Sequence, residues 1–286
     1  MDILKTPETM RQWSAEAKRS GKTVCLVPTM GFFHEGHLSL MRRGAELCDL
    51  VVVSLFVNPT QFGPNEDLDR YPRAFERDCA LLEREPVAVL FAPAPERMYP
   101  PGFQTEVRVT GLSTHLCGAS RPGHFTGVAT VLCKLFNIVC PDAAVFGEKD
   151  FQQLSVIRRF VADLNIPVRI VGHPIVREAD GLAMSSRNSY LDPDNRAAAL
   201  SLSSGLELAR TRAADGERSA AALSRAVEEH IRSFTATEID YVRFVDCDSL
   251  EPVETVDART VLAMAVRVDG KVRLIDNGFV MPQARN

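Results

Sequence analysis

Strand-length runs of apolar residues recur along the first two thirds of the chain, at 24–27, 50–57, 87–91, 143–146 and 168–171. Between several of them lie longer stretches in which apolar residues return with helical spacing, at 37–48, 75–84, 126–139 and 152–164. Runs that are apolar throughout belong to strands buried on both faces, and their alternation with amphipathic helices predicts βαβ crossovers. The expected fold class is α/β, a doubly wound parallel sheet with helices on both faces. Such sheets bind ligands beyond the carboxyl ends of their strands, where the strand order reverses.

The texture changes after about residue 180. Residues 192–214 and 217–234 are rich in Ala, Leu and Arg and read as two helices, the first with Asp192 or Asp194 near its N-cap. Alternating runs follow at 239–245, 261–268 and 271–275, and Asp269-Gly270 between the last two is a tight hairpin signal. This pattern predicts a smaller C-terminal α+β domain, joined through a loop at 176–183. The expected division is 1–175 and 176–286. Internal repeats and low-complexity tracts are absent from the sequence.

Charge narrows the function. With 33 basic and 37 acidic residues among 286, the net charge is −4 and no basic run occurs. A general nucleic-acid binder is therefore not expected, and any phosphate chemistry has to be local. The seven cysteines, Cys25, Cys48, Cys79, Cys117, Cys133, Cys140 and Cys247, are odd in number and form no C-x-x-C pair. They read as small buried hydrophobes in a reducing compartment. The first thirteen residues hold no apolar block of the signal-peptide kind, and no apolar run approaches the ~18 residues of a membrane span. A cytoplasmic protein without a membrane partner is expected.

The most informative segment runs from Val27 to Leu40, VPTMGFFHEGHLSL, between the first buried strand and a helix. Free backbone N–H groups and the helix dipole favour an anion there. His34 and His37 are three residues apart, so on a helical first turn they share a face, and Gly36 leaves room for close approach. Two imidazoles so placed can hydrogen-bond phosphate oxygens and stabilise charge that develops at phosphorus. Zinc is disfavoured, because H-E-x-x-H sites space their histidines four apart and no third ligand stands out.

Three further segments have matching chemistry. Asn58 and Gln61 follow the second buried run and offer neutral donors and acceptors to a small hydroxy acid, although the segment also reads as a polar turn. Gly147, Glu148, Lys149 and Asp150 follow another buried run and open a helix. Gly147 permits close approach, Lys149 offers a point charge and Asp150 could accept from a ribose hydroxyl; a plain charged helix start is the alternative. Met184, Ser185, Ser186 and Arg187 supply two hydroxyls and a guanidinium suited to β- and γ-phosphates, or form a solvated loop. Asp78 is a candidate Mg²⁺ contact. Arg121-Pro-Gly-His124 reads as a turn with two cationic candidates, and Arg42-Arg43 as a solvated helix face.

His-x-Gly-His after a first strand is similar to the HIGH signature of the nucleotidyltransferase superfamily. The blocks PTMGFFHEGH, FVNPTQF, GEKDFQQL and MSSRN, in that order, resemble the pantothenate synthetase (pantoate–β-alanine ligase) family over nearly the whole chain. One departure is Phe32-Phe33, where a pair such as Ala-Leu is common in the family. It leaves both histidines in place but bears on loop packing.

The resemblance implies a Rossmann-like sheet that binds ATP and pantoate and a C-terminal cap domain. It implies condensation of (R)-pantoate with β-alanine at the expense of ATP, with Mg²⁺, through pantoyl adenylate, in a homodimer. His37, as proton donor, and His34 are the implied catalytic residues. Met30, Gly31, Phe32, Phe33, His34, Glu35, Gly36, His37, Gly147, Glu148, Lys149, Asp150, Val176, Met184, Ser185, Ser186 and Arg187 are implied in ATP binding. Gln61 and Gln153 are implied in pantoate binding and Gln61 also in β-alanine binding, while Arg121 is implied near the phosphates and no metal ligand is assigned. The MSSRN segment resembles a KMSKS-type loop, expected to close over ATP. Alternatives are an adenylyltransferase acting on a nucleotide or phosphopantetheine, and a noncatalytic nucleotide-binding protein. The hydroxy-acid set Asn58, Gln61 and Gln153 argues against the first, and the intact histidines against the second.

Overall fold

The computed structural model describes residues 1–64 and 66–283. The chain divides into two compact units. The first comprises Met1–Ser113, Arg121–Glu148 and Gln153–Pro174. The second comprises Thr114–Ser120, Lys149–Gln152 and the chain from Ile175 onward.

In chain order the elements up to residue 173 are β1 (Asp2–Leu4), α1 (Pro7–Arg19), β2 (Val24–Thr29), α2 (Glu35–Leu47), β3 (Leu50–Leu55), α3 (Phe75–Leu82), β4 (Val89–Phe91), α4 (Pro95–Met98), α5 (Leu116–Ser120), α6 (His124–Val139), β5 (Ala143–Gly147), α7 (Phe151–Asp163) and β6 (Arg169–His173). The six strands form one sheet in the order β1-β4-β3-β2-β5-β6, parallel throughout. Alternation along each strand explains the unbroken apolar runs. Val24 and Leu26 pack into a core with Met10, Leu132 and Ile157 on one face, whereas Cys25 and Val27 pack with Leu38, Met41 and Leu82 on the other.

From β2 the chain builds β3 and β4 to one side, and β5 followed by β6 lies on the other. The order reverses between β2 and β5, which pair through Cys25–Ala143 and Leu26–Ala144. Their carboxyl ends, running into the PTMGFFHEGH and GEKD segments, therefore bound the switch point at which ligands bind in such sheets.

The N-terminal β1 and α1 were not expected from the hydrophobic pattern. β1 is a three-residue edge strand, too short to show a period, while α1 has local signals: Thr6 caps it by accepting from Thr9 N, and Pro7 opens it. The expected helix at 126–139 begins two residues earlier, so His124 belongs to the first turn of α6 and not to a loop. The cysteines also differ from expectation. All seven are free thiols, but only Cys25 and Cys117 are buried, and Cys140 is exposed. Among the described residues no helix is long and apolar enough to cross a membrane.

The second unit continues with α8 (Arg196–Ala214), α9 (Ala220–Arg232), β7 (Thr237–Asp246), β8 (Thr260–Val268) and β9 (Val272–Phe279). The three strands are antiparallel in the order β7-β8-β9, and Leu202, Leu206, Leu223 and Val227 of the two helices share a core with Leu262, Met264 and Val266 of β8. The hairpin at Asp269-Gly270 has positive φ at both residues, 52° and 62°, as the sequence predicts. Asp192 caps a short 3₁₀ turn, Pro193–Asn195, that leads into α8.

Candidate active site

Four strand exits and loops carry the candidate residues. In the first unit, β2 ends at Thr29 and the chain turns through Gly31 at φ 83° and Phe32 at φ 54°. The positive φ favours glycine at 31, and a Cβ there would lie a tight 3.1 Å from Asp78 Oδ2 and 3.2 Å from Leu55. Left-handed backbone is rare for a bulky residue such as Phe32 and needs external support. Asp78 supplies it: Phe32 N donates to Oδ2 at 2.6 Å and Phe33 N to Oδ1 at 2.8 Å. Arg77 adds a bond from Nη2 to Phe33 O at 3.1 Å and lies 5.0 Å from the Phe32 ring centre.

Asp78 is 1% exposed. Burial pushes its carboxyl above the usual range, against the opposing pull of the two amides and Arg77. The expectation of an Mg²⁺ contact is therefore corrected: both carboxylate oxygens hold the loop backbone. The departure at Phe32-Phe33 is also accommodated. Phe33 is fully buried and meets His37 edge-on with ring centres 5.7 Å apart.

His34 occupies the N-cap position of α2, and its carbonyl accepts from His37 N at 2.8 Å and Leu38 N at 3.2 Å. The two imidazoles lie against each other with centres 4.1 Å apart and planes tilted by 42°. They thus share one face at the start of a 13-residue helix, where the helix dipole and the first N–H groups attract an anion. Glu35, in the same turn, is bonded to Arg42, which also forks onto Glu85.

At the exit of β3, Asn58 is buried and fully engaged. Its Nδ2 donates to Gln61 Oε1 and to Gly127 O, both at 3.1 Å, and its Oδ1 accepts from Tyr99 OH at 2.8 Å and Thr60 Oγ1 at 3.0 Å. Asn58 does not offer itself to substrate as expected; it fixes the amide of Gln61. Gln61 Nε2 in turn approaches Met30 Sδ at 3.1 Å, which joins the first two sequence blocks.

His124 Nδ1 lies 2.8 Å from Gln61 O and its Nε2 lies 3.1 Å from Arg121 Nη1. A carbonyl only accepts and a guanidinium only donates, so the imidazole is the neutral Nδ1–H tautomer. Arg121 forks onto Glu66 through Nε at 2.7 Å and Nη2 at 2.6 Å. Burial pushes the Glu66 carboxyl up, but the Arg121 fork outweighs it and holds the group below its usual range. The Arg121 guanidinium is thus engaged by Glu66 and His124.

Glu66, Tyr99 and Gly127 were missed from sequence. A Cβ on Gly127 would collide with the Thr60 carbonyl, and only the presence of glycine inside an otherwise bulky helical run hinted at this close approach. At the end of β5, a Cβ on Gly147 would meet nothing within 4 Å. Gln153 of α7 is half-buried, and its amide makes no hydrogen bond among the described residues.

In the second unit, the Lys149 ammonium and the Asp150 carboxylate have no polar partner among the described residues, while the Lys149 carbonyl accepts from Asn277 Nδ2 at 2.8 Å. Val176 O accepts from Met184 N at 2.9 Å, which closes the loop between them. Ser185 Oγ accepts from Arg187 N at 3.3 Å and caps the 3₁₀ turn Ser186–Tyr190.

A parallel sheet whose reversal point opens onto paired imidazoles at a helix start, with a locked amide at the neighbouring strand end, is the arrangement in which doubly wound α/β proteins receive an anionic ligand. Comparison with known proteins gives the family. The family described as "Pantoate-beta-alanine ligase" matches residues 2–279, and the chain belongs to it. The pantothenate synthetase of Desulforapulum autotrophicum is 58% identical over 283 residues, 99% of this chain and 100% of that protein. That of Geobacter sulfurreducens is 56% identical over 277 residues, 97% of this chain and 98% of the relative. Among solved structures, pantothenate synthetase from Thermus thermophilus superposes with a TM-score of 0.93 at 47% identity, covering 99% of this chain and all of that one. A pantoate-β-alanine ligase from Francisella tularensis, solved in complex with "Beta-gamma ATP and Beta-alanine", has a TM-score of 0.80 at 30% identity, with 98% of each chain covered.

Proposed function

We infer that this chain condenses (R)-pantoate with β-alanine to pantothenate, converting ATP to AMP and pyrophosphate. The observation that carries the inference is the paired His34–His37 imidazoles at the start of α2, together with a Gln61 amide oriented by Asn58 and reaching Met30 of the same segment. Relatives named pantothenate synthetase cover 97% to 99% of this chain, and a pantoate-β-alanine ligase was solved with "Beta-gamma ATP and Beta-alanine".

A carboxylate is a poor acyl donor because its leaving group would be oxide. We propose that a pantoate carboxylate oxygen attacks the α-phosphorus of ATP, the bond to the bridging oxygen breaks, and pyrophosphate leaves. The amine of β-alanine then attacks the acyl carbon of pantoyl adenylate and expels AMP. His34 and His37 stabilise charge growing at phosphorus, and His37 donates a proton toward the leaving group. Gln61 Oε1 and one Nε2 hydrogen are engaged, which leaves the second Nε2 hydrogen for a pantoate carboxylate or hydroxyl. Gln153, with its unbonded amide, completes the pantoate contacts, and Gln61 also serves β-alanine. Orientation of the two reactants supplies a large share of the acceleration.

Met30–His37, Gly147, Glu148, Lys149, Asp150, Val176 and Met184–Arg187 are proposed to bind ATP. For the groups of the second unit the support is the unbonded Lys149 ammonium and the family resemblance. Among the described residues no three His, Cys, Asp or Glu side chains converge as a cage for a metal. Mg²⁺, which neutralises phosphate charge and is commonly held through substrate phosphates, is proposed to arrive with ATP. We further propose residues 1–175 as the ATP- and pantoate-binding domain, 176–286 as the C-terminal domain, a homodimeric state and a cytoplasmic location.

The test is AMP release from ATP, pantoate and β-alanine with each omitted in turn, together with pyrophosphate–ATP exchange. Exchange that needs pantoate but not β-alanine supports the adenylate. Active ligation without such exchange refutes it.

A further inference from the structure

Asp276 and Asn277 are neighbours on β9, 3% and 7% exposed, and none of the sequence blocks contains them. Pairing with β8, Asp276 opposite Met264 and Asn277 opposite Ala263, fixes their backbone within the antiparallel sheet. Each side chain then reaches out of the sheet to a different segment of the same unit. Asn277 Nδ2 donates to Lys149 O at 2.8 Å. Asp276 accepts from both Arg177 terminal nitrogens, Nη1 to Oδ2 at 2.7 Å and Nη2 to Oδ1 at 2.9 Å, and its Oδ1 also accepts from Asn277 N at 2.8 Å.

Arg177 stands at the base of a loop closed on itself. Its Nη1 donates to Gly181 O at 3.0 Å, Arg177 bridges to Ala183, and Met184 N donates to Val176 O at 2.9 Å. The bidentate pair with Asp276 therefore sets the position of both ends of the loop, Val176 and Met184, at once. Two consecutive residues of one rigid strand thus hold the Lys149 main chain and the Val176–Met184 loop in fixed register. A lysine ammonium on a flexible four-carbon stem is aimed only as well as its backbone is anchored.

We propose that Asp276 and Asn277 are positioning residues for the nucleotide, Asn277 through the Lys149 main chain and Asp276 through Arg177. The proposal rests on the reading of Lys149 and Val176–Arg187 as ATP-binding groups. Steady-state kinetics with each substrate varied tests it in Asn277→Ala, Asn277→Asp, Asp276→Asn, Lys149→Ala and the Asn277→Ala/Lys149→Ala double variant. Asn277→Asp keeps the shape and removes the donor, so it serves if the alanine variant fails to fold.

Each Asn277 variant, and Asp276→Asn, should raise KM for ATP roughly three- to tenfold, the scale of one lost hydrogen bond, with KM for pantoate and β-alanine within about twofold of wild type. In the Lys149→Ala background the Asn277 change should add nothing, because it acts through Lys149. Equal rises in all three KM values, or multiplicative effects of Asn277→Ala and Lys149→Ala on KM for ATP, overturn the Asn277 assignment. An Asp276→Asn variant with wild-type KM for ATP overturns the Asp276 half. An impaired Lys149→Ala beside unimpaired Asn277 variants refutes positioning by Asn277 alone, whereas a Lys149→Ala variant with unchanged KM for ATP refutes the nucleotide role of Lys149 and the route through it.

Discussion

Replacing Gly127 by alanine separates the geometry of the Asn58–Gln61 turn from its chemistry, since no polar group is altered. The missing side chain lets α6 lie directly on the turn: a Cβ would meet the Thr60 carbonyl carbon at 2.5 Å and Gln61 N at 2.6 Å. Ordinary carbon contacts begin near ~3.5 Å, so one element must retreat by roughly 1 Å, and the obstacle is backbone that cannot rotate away. Two bonds cross that seam, Asn58 Nδ2 to Gly127 O at 3.1 Å and His124 Nδ1 to Gln61 O at 2.8 Å. A misplacement of about 1 Å in a positioning group costs on the order of 10²-fold in rate. Alanine gains about 1 kcal/mol of helix propensity over glycine, which offsets part of the ~1–3 kcal/mol of overpacking. The expected outcome is a roughly 100-fold fall in kcat/KM for pantoate, with KM for ATP within about twofold and a net stability loss of about 2 kcal/mol or less. Initial rates of AMP release at varied pantoate, beside urea unfolding, measure both. A variant that keeps kcat/KM for pantoate within about twofold would falsify the view that this seam positions Gln61.

Three other outcomes are expected. His34→Ala and His37→Ala each lower turnover by ~10²–10⁴-fold, the scale of acid–base or electrostatic groups, and wild-type turnover in both would remove them from the chemistry. Asp78→Asn leaves one of the two loop amides facing a donor and lowers unfolding free energy at pH 7 by about 1–3 kcal/mol; an unchanged urea midpoint would contradict that. Burial raises the Asp78 carboxyl above 3.8, so the folded state holds its proton more tightly and this group's contribution declines as pH rises through the window just above that value, a slope absent from the variant. Asp246 behaves oppositely: the Ser249 amide, the Asp248 amide and Arg259 hold it at about 2, so its contribution is complete above the ordinary value of 3.8 and is lost as pH falls toward about 2. The difference in thermal midpoint between wild type and Asp246→Asn should be largest at neutral pH and shrink in acid, and a gap independent of pH would refute the assignment.

The sheet and its flanking helices were legible because a strand buried on both faces needs an unbroken apolar run, as 24–27 and 50–57 provide, and because Asp269-Gly270 has the one dipeptide chemistry its turn demands. β1 was illegible because three residues at a sheet edge carry no period. The site divides along a different line. Residue type shows what a side chain can donate or accept, but not which partner claims it. Asp78, Asn58 and Arg121 each suited a ligand on paper, and each is claimed by the protein: Asp78 by two amides of a left-handed loop, Asn58 by the turn and Gly127, and Arg121 by Glu66. Such claims follow from the cost of leaving buried polar groups unpaired, a cost that falls first on the loops that cradle a ligand. Of the candidate side chains, the Gln153 amide, the Lys149 ammonium and the Asp150 carboxylate make no hydrogen bond among the described residues, which leaves them open to the proposed substrates. The claimed ones act at one remove: the Asn58 amide holds the Gln61 amide, and the Asp78 carboxylate holds the Phe32-Phe33 turn leading into the histidines.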